Sequence, residues 1–215
     1  METRENLARF DTLFRQCPLV AILRGVEPAE VLQIAQGLLR SGIRLIEVPL
    51  NSPRPMDSIR LLVKALGAEA MIGAGTVTSV AQVLELADLG GTLVVSPNFD
   101  EEVVQQTVRS GLVSLPGVAT PSEAFRAVRV GAHAIKAFPA EQIGVAGLKA
   151  WHSVLPKGIR VLAVGGVDVT TIPTLRAAGV VGFGVGSSLY RPGQSAADVE
   201  LRAKKLVAAC AAIND

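Results

Sequence analysis

The sequence predicts an α/β chain folded as a (β/α)8 TIM barrel with an N-terminal helix, and three observations carry that expectation. Eight short apolar runs alternate with stretches of helical periodicity along the 215 residues. The runs are apolar nearly throughout, as in parallel strands covered by helices. The units follow one another without a long insertion, which favours closure over an open doubly wound sheet. A chain of this length is long for an ordinary domain and normal for one α/β barrel. A single domain is expected over 1–215, with the leading helix in 1–17 and the barrel in 18–215.

The leading helix is expected over residues 5–16, where Leu7, Phe10, Leu13 and Phe14 recur at helical spacing. The strands are expected at Leu19–Leu23, Leu45–Leu50, Met71–Ala74, Leu93–Ser96, Leu112–Leu115, Ala134–Phe138, Arg160–Val164 and Val181–Val185. Between them, segments such as EVLQIAQGLLRSG, MDSIRLLVKALG and EEVVQQTVRSG carry one apolar face. Ser79, Asp100, Thr120 and Thr170 stand where a side-chain oxygen can cap a helix N-terminus. Six of the helices run into a glycine (Gly42, Gly67, Gly90, Gly111, Gly131, Gly179), the residue that most easily takes the left-handed turn ending a helix.

Composition excludes several functions. With 21 basic and 19 acidic residues the net charge is +2, and no basic run is interleaved with aromatics, so no nucleic acid partner is expected. No apolar run approaches the ~18 residues of a membrane span, so no membrane partner is expected either. The charged start METRENLARFD lacks the apolar centre of a signal peptide, and a cytoplasmic location is expected. Cys17 and Cys210 lie at opposite ends and form no CxxC pair; they are expected as buried thiols in a reducing compartment. His133 and His152 have no carboxylate or cysteine cluster beside them, so both are taken as structural and no metal is expected.

Chemistry should collect at the C-terminal ends of the strands, where barrels of this kind hold their sites. Two charges interrupt the apolar strands there. Lys136 lies within AHAIKAFP and Glu47 within LIEVPL. An unpaired buried ammonium is strongly disfavoured, and burial therefore pushes a lysine toward the neutral, nucleophilic amine. A lysine whose head reaches water, or a structural ion pair with Glu47, is the ordinary alternative. Strands two and six lie across the barrel from one another. The joint occurrence of the two charges at strand ends favours a nucleophile served by a general acid/base. Gly165 and Gly166 after the seventh strand, and Gly186 and Ser187 after the eighth, stand where such barrels bind phosphate through backbone N–H groups. Arg24 ends the first strand, either as a rim residue or as a clamp for a carboxylate. Thr76 and Pro97 can shape the floor of the same pocket, although Thr76 can equally cap the next helix.

The segments IEVPL, GAGTV, VSPN, IKAFPAE and VGGV stand in this order over nearly the whole length. Together they resemble the class I aldolases that act on 2-keto-3-deoxy-6-phospho sugar acids. The resemblance implies that Lys136 forms a Schiff base, that Glu47 moves protons, and that Arg24 and Thr76 hold the carboxylate of pyruvate. It further implies that Gly165, Gly166, Gly186 and Ser187 hold the phosphate of a small phosphorylated sugar acid, in a homotrimer with no metal and no cofactor. The phosphogluconate branch of that family typically carries an arginine after strand two and a threonine before the glycine pair. Asn51 and Val164 stand there instead. Arg24 is then the relocated carboxylate clamp, and Val164 the position expected to set preference at C4 of the substrate. The leading helix and the chain from about Ala196 match least distinctively.

Overall fold

A computed structural model describes residues 2–211. Its elements run α1 (Glu2–Gln16), β1 (Leu19–Ile22), α2 (Pro28–Arg40), β2 (Leu45–Pro49), α3 (Pro55–Leu66), β3 (Met71–Gly75), α4 (Val80–Asp88), β4 (Leu93–Val95) and α5 (Glu101–Arg109). They continue with β5 (Val113–Leu115), β6 (Gly117–Val118), α6 (Pro121–Arg129), β7 (Ile135–Ala137), α7 (Ala140–Val154), β8 (Val161–Val164), α8 (Ile172–Ala177), β9 (Gly182–Val185) and α9 (Ala196–Ala211). No helix among the described residues is long and apolar enough to cross a membrane.

The sheet order is β5-β4-β3-β2-β1-β9-β8-β7-β6, all in parallel. Its two ends, β5 and β6, are consecutive in the chain with only Pro116 between them. The expected strand Leu112–Leu115 is β5, and β6 is a further short strand beyond it, set apart because proline has no N–H to carry the ladder onward. Its carbonyl still works, accepting from the Lys136 N–H at 2.9 Å. On the other side Ser96 N–H donates to the Leu115 carbonyl at 3.2 Å. The chain itself thus closes the sheet into a barrel, as expected for the (β/α)8 class.

Helix starts follow the capping rule at Ser79, Asp100 and Thr120, whose side chains accept from backbone N–H groups three residues on. At α8 the expectation fails. Thr171, not Thr170, is the N-cap, and the oxygen that satisfies the loop belongs to Asp168, which accepts from the Thr170 and Thr171 N–H groups at 2.8 and 3.0 Å. Gly67 is also a correction: it stays helical at φ −58°, while the other five glycines at helix ends are left-handed.

Alternation along each strand sorts the inward residues into layers. The lowest holds Val20, Leu45, Met71, Leu93, Val113, Ala134 and Leu162, and Phe10 and Phe14 of α1 pack onto it as a plug. Burying Phe10 completely is worth about 2–3 kcal/mol. Gly182 contributes by lacking a side chain, since a Cβ there would strike the Phe14 ring. Asn6 and Arg9 fasten α1 to carbonyls of Gly111, Gly67 and Ala70, and Asp11 pairs with Arg160 at 2.8 Å. With the bottom sealed in this way, the barrel interior opens only at the C-terminal ends of its strands.

Candidate active site

Two residues above the apolar floor, the inward positions are no longer all apolar. Glu47 at the centre of β2 and Lys136 at the centre of β7 border one enclosed space, with Ile22, Val95, Leu115, Leu162 and Val164 completing its walls. Glu47 is 2% exposed and Lys136 6%. Neither takes part in an ion pair among the described residues, and Glu47 Oε2 is buried with no hydrogen-bond partner. The structural ion pair is therefore not what the chain builds.

Burial pushes the Glu47 carboxyl from its usual 4.5 up to about 7, against the opposing pull of Lys136 and Arg24. Burial likewise drives Lys136 below its ordinary value, opposed by Glu47 and aided by the like charge of Arg24. Each group is brought toward its neutral form by the same dry surroundings. The Lys136 ammonium lies over the ring of Phe138, 4.5 Å from its centroid.

A neighbour that inspection of the sequence passed over places the carboxylate. A Cβ on Gly75, the last residue of β3, would collide with the Glu47 carboxyl group. The second glycine of GAGT thus leaves the space the carboxylate fills. Glycine inside a strand was the available signal, because it often marks a close approach.

The next layer up opens into a cleft of about 390 Å³. Arg24, Phe138, Val164, Gly165, Gly166, Gly186 and Ser187 line it, together with Asp168 and Arg191. Ile22, Val164 and Gly184 border both this cleft and the lysine–glutamate space, so one opens into the other. Six of the ten residues singled out from the sequence meet in the cleft, and Glu47 and Lys136 lie beneath it. A larger cavity of about 590 Å³ lies outside the barrel beside α9 and contains neither buried charge.

Arg24 is exposed at the rim, and its guanidinium donates to Asn51 Oδ1 at 2.5 Å. Asn51, standing where the related branch typically has arginine, is thus the residue that orients Arg24. The same two loops are tied by the Gly25 N–H donating to Ser52 Oγ at 2.9 Å. Arg191, not singled out beforehand, donates its Nε–H to the Ser187 carbonyl at 3.2 Å and lines the cleft. It lies in the GSSLYRPGQS segment, where a cation beside glycine and serine was a legible signal.

Gly165 and Gly166 are left-handed, at φ +104° and +67°. A Cβ on Gly166 would come within 2.6 Å of the Glu141 carboxylate, so glycine there also makes room for α7. Thr76 and Pro97 stand at the ends of β3 and β4 but border neither space. Thr76 is left-handed at φ +57°, an uncommon and strained conformation for a β-branched residue. It does not cap α4, because Ser79 does. His133 lies at the bottom of the barrel, where burial lowers its pKa and its Nδ1 accepts from the Ser114 N–H. Cys17 and Cys210 are buried free thiols, raised by burial to about 11 and about 12.

Comparisons with known proteins place the chain in a family. The family model for KDPG and KHG aldolases matches residues 10–201. A protein of Rhizobium meliloti (strain 1021) described as a probable 2-dehydro-3-deoxy-6-phosphogalactonate aldolase is 46% identical over 91% of this chain and 92% of its own. The 2-dehydro-3-deoxy-6-phosphogalactonate aldolase of Escherichia coli (strain K12) is 46% identical over 83% of this chain and 87% of its own. A solved structure described as native KDPGal superposes with a TM-score of 0.88 at 44% identity, covering 89% of this chain and 93% of that one. The chain belongs to the KDPG and KHG aldolase family.

Proposed function

We propose that this protein is a Schiff-base aldolase that cleaves 2-dehydro-3-deoxy-6-phospho-D-galactonate to pyruvate and D-glyceraldehyde 3-phosphate. One observation carries the reading: Lys136 and Glu47 share a dry space without pairing, directly beneath a cleft that holds two arginines and the Gly165–Gly166 turn. The 46% identity to proteins described as aldolases of that sugar acid supports the choice of substrate.

In this mechanism the neutral Lys136 amine adds to the C2 ketone and gives a carbinolamine. Protonated Glu47 supplies the proton with which its hydroxyl leaves as water, and an iminium results. The Glu47 carboxylate then takes the C4 hydroxyl proton while the C3–C4 electrons flow into the iminium. Glyceraldehyde 3-phosphate leaves, and the enamine is protonated and hydrolysed to pyruvate. A carboxyl near pH 7 serves as acid and base in turn. Arg24, held by Asn51, binds the substrate carboxylate at the mouth of the cleft, and Thr76 and Pro97, which border neither space, take no direct part in that contact. Gly165, Gly166, Gly186 and Ser187 bind the phosphate, and Val164 contacts C4. The active form is a homotrimer in the cytoplasm, with no metal or cofactor in the reaction.

The test is borohydride reduction in the presence of pyruvate, followed by peptide mass mapping and by assays with both C4 epimers of the phosphorylated acid. A reduced pyruvyl adduct on Lys136 and faster turnover of the galactonate-derived epimer are expected. Folded protein without an adduct would overturn the imine chemistry in favour of a barrel that only binds phosphosugars.

A further inference from the structure

The Lys136 nitrogen lies against an aromatic ring, and although Glu47 borders the same space the two form no ion pair among the described residues. Its ammonium is 4.5 Å from the centroid of Phe138, inside the ~6 Å range over which a ring face attracts a cation. Phe138 lies two residues after Lys136, in the turn that follows β7, and the contact places both side chains on the same side of the sheet. Phe138 is held in register by its N–H, which donates to the Val118 carbonyl at 3.0 Å. Its half-buried ring also lines the cleft above. The charged groups around the pair are Glu47 on β2, Arg24 after β1, and Asp168 and Arg191 in the cleft. None of these forms an ion pair with Lys136 among the described residues.

We propose that Phe138 is a positioning residue whose ring face stabilises the cationic nitrogen of Lys136, above all the iminium formed with pyruvate or substrate. The proposal rests on the Schiff-base reading. The amine forms a carbon–nitrogen bond to C2; the C2 hydroxyl leaves as water with a proton from Glu47; one hydrogen and the positive charge remain on nitrogen. That charge persists until the C3–C4 electron pair neutralises it in the enamine. The ring quadrupole acts in this interval, in a space too dry for water to solvate the cation.

Proton linkage gives the effect a signature in pH. At acid pH the free enzyme carries an ammonium, which the ring stabilises about as much as the iminium, so the ring leaves the equilibrium with pyruvate unchanged. At alkaline pH the free amine is neutral, and the whole stabilisation falls on the iminium. A ring that merely filled space would act equally at both.

The experiment replaces Phe138 site-specifically with mono-, di- and trifluorophenylalanine, which keep the shape while progressively removing the ring's negative face, and adds Phe138→Leu as a ringless variant. Borohydride-trapped pyruvate on Lys136 is measured against pyruvate concentration over a series of pH values on both sides of the Lys136 titration, which is itself read from the pH dependence of trapping in the unmodified protein. Half-trapping at alkaline pH is expected to need progressively more pyruvate with each fluorine, reaching about 5- to 30-fold, with little change at acid pH. Equal trapping across the fluorinated series at alkaline pH, with Lys136 still labelled, overturns the role of the ring and leaves the aldolase reading intact. Absence of label on Lys136 in the unmodified protein overturns both.

Discussion

The α-carbon of Gly75 lies against the carboxylate of Glu47 with no room between them for a methyl group. Gly75→Ala must therefore displace either the carboxylate or β3. Overpacking of this kind costs about 1–3 kcal/mol of stability. Turnover is expected to fall about 10²-fold or more, as for loss of a general acid/base. Steady-state kinetics beside circular dichroism checks this. Near-normal turnover in a folded Gly75→Ala protein would show that the carboxylate need not sit where it does.

Glu47 also makes stability depend on pH. Its carboxyl is raised in the folded chain from 4.5 to about 7, so between those values the folded state holds a proton that the unfolded state has lost. Stability then falls as pH rises through that window, by at most about 3 kcal/mol, and the loss is complete above pH 7. Glu47→Gln removes the titration. Thermal melts should show the variant more stable than the parent at pH 8 and nearly equal at pH 4, with turnover reduced about 10²- to 10⁴-fold. A parallel pH dependence in the two proteins would contradict the assignment.

Arg24 and Arg191 line the same cleft and are expected to serve opposite ends of the substrate. Arg24→Ala should weaken pyruvate trapping by about 10-fold or more, the range of a charge-assisted hydrogen bond. Asn51→Ala, which frees the Arg24 guanidinium, should weaken it less. Arg191→Ala should leave pyruvate trapping unchanged and raise KM for the phosphorylated acid over its unphosphorylated analogue. Titrations with pyruvate, set beside KM for both acids, separate these effects.

Val164 is 8% exposed, borders both the cleft and the space below it, and packs its methyl groups against Gly184. Val164→Thr exchanges one methyl for a hydroxyl there. The ratio of kcat/KM for the two C4 epimers is expected to move about 10-fold toward the epimer whose hydroxyl the threonine can meet. An unchanged ratio would remove Val164 from the control of stereochemistry.

The barrel was legible in the sequence because strand and helix periodicities, caps and helix-ending glycines are properties of neighbours along the chain. Glu47 and Lys136 were legible for a related reason: a charge between apolar strand residues violates the solvation rule, so it draws notice wherever it occurs. Tertiary structure alone decided which residues answer those charges. Closure of the sheet through Pro116 sets β7 beside β6, and parallel pairing of β2 with β3 brings Gly75 against Glu47. The approach of the loops after β1 and β2 lets Asn51 hold Arg24, 27 residues away. Arg191 and Ser187 line the cleft only because the segment after β9 meets the residues that follow β1, β7 and β8 there. Thr76 and Pro97 show the same limit from the other side, since their places at strand ends were foreseeable but their absence from the cleft lining was not. Local pattern fixes where an element begins and which face is apolar. The direction and surroundings of a side chain at a strand end depend on backbone turns and on distant segments, which only the closed barrel brings together.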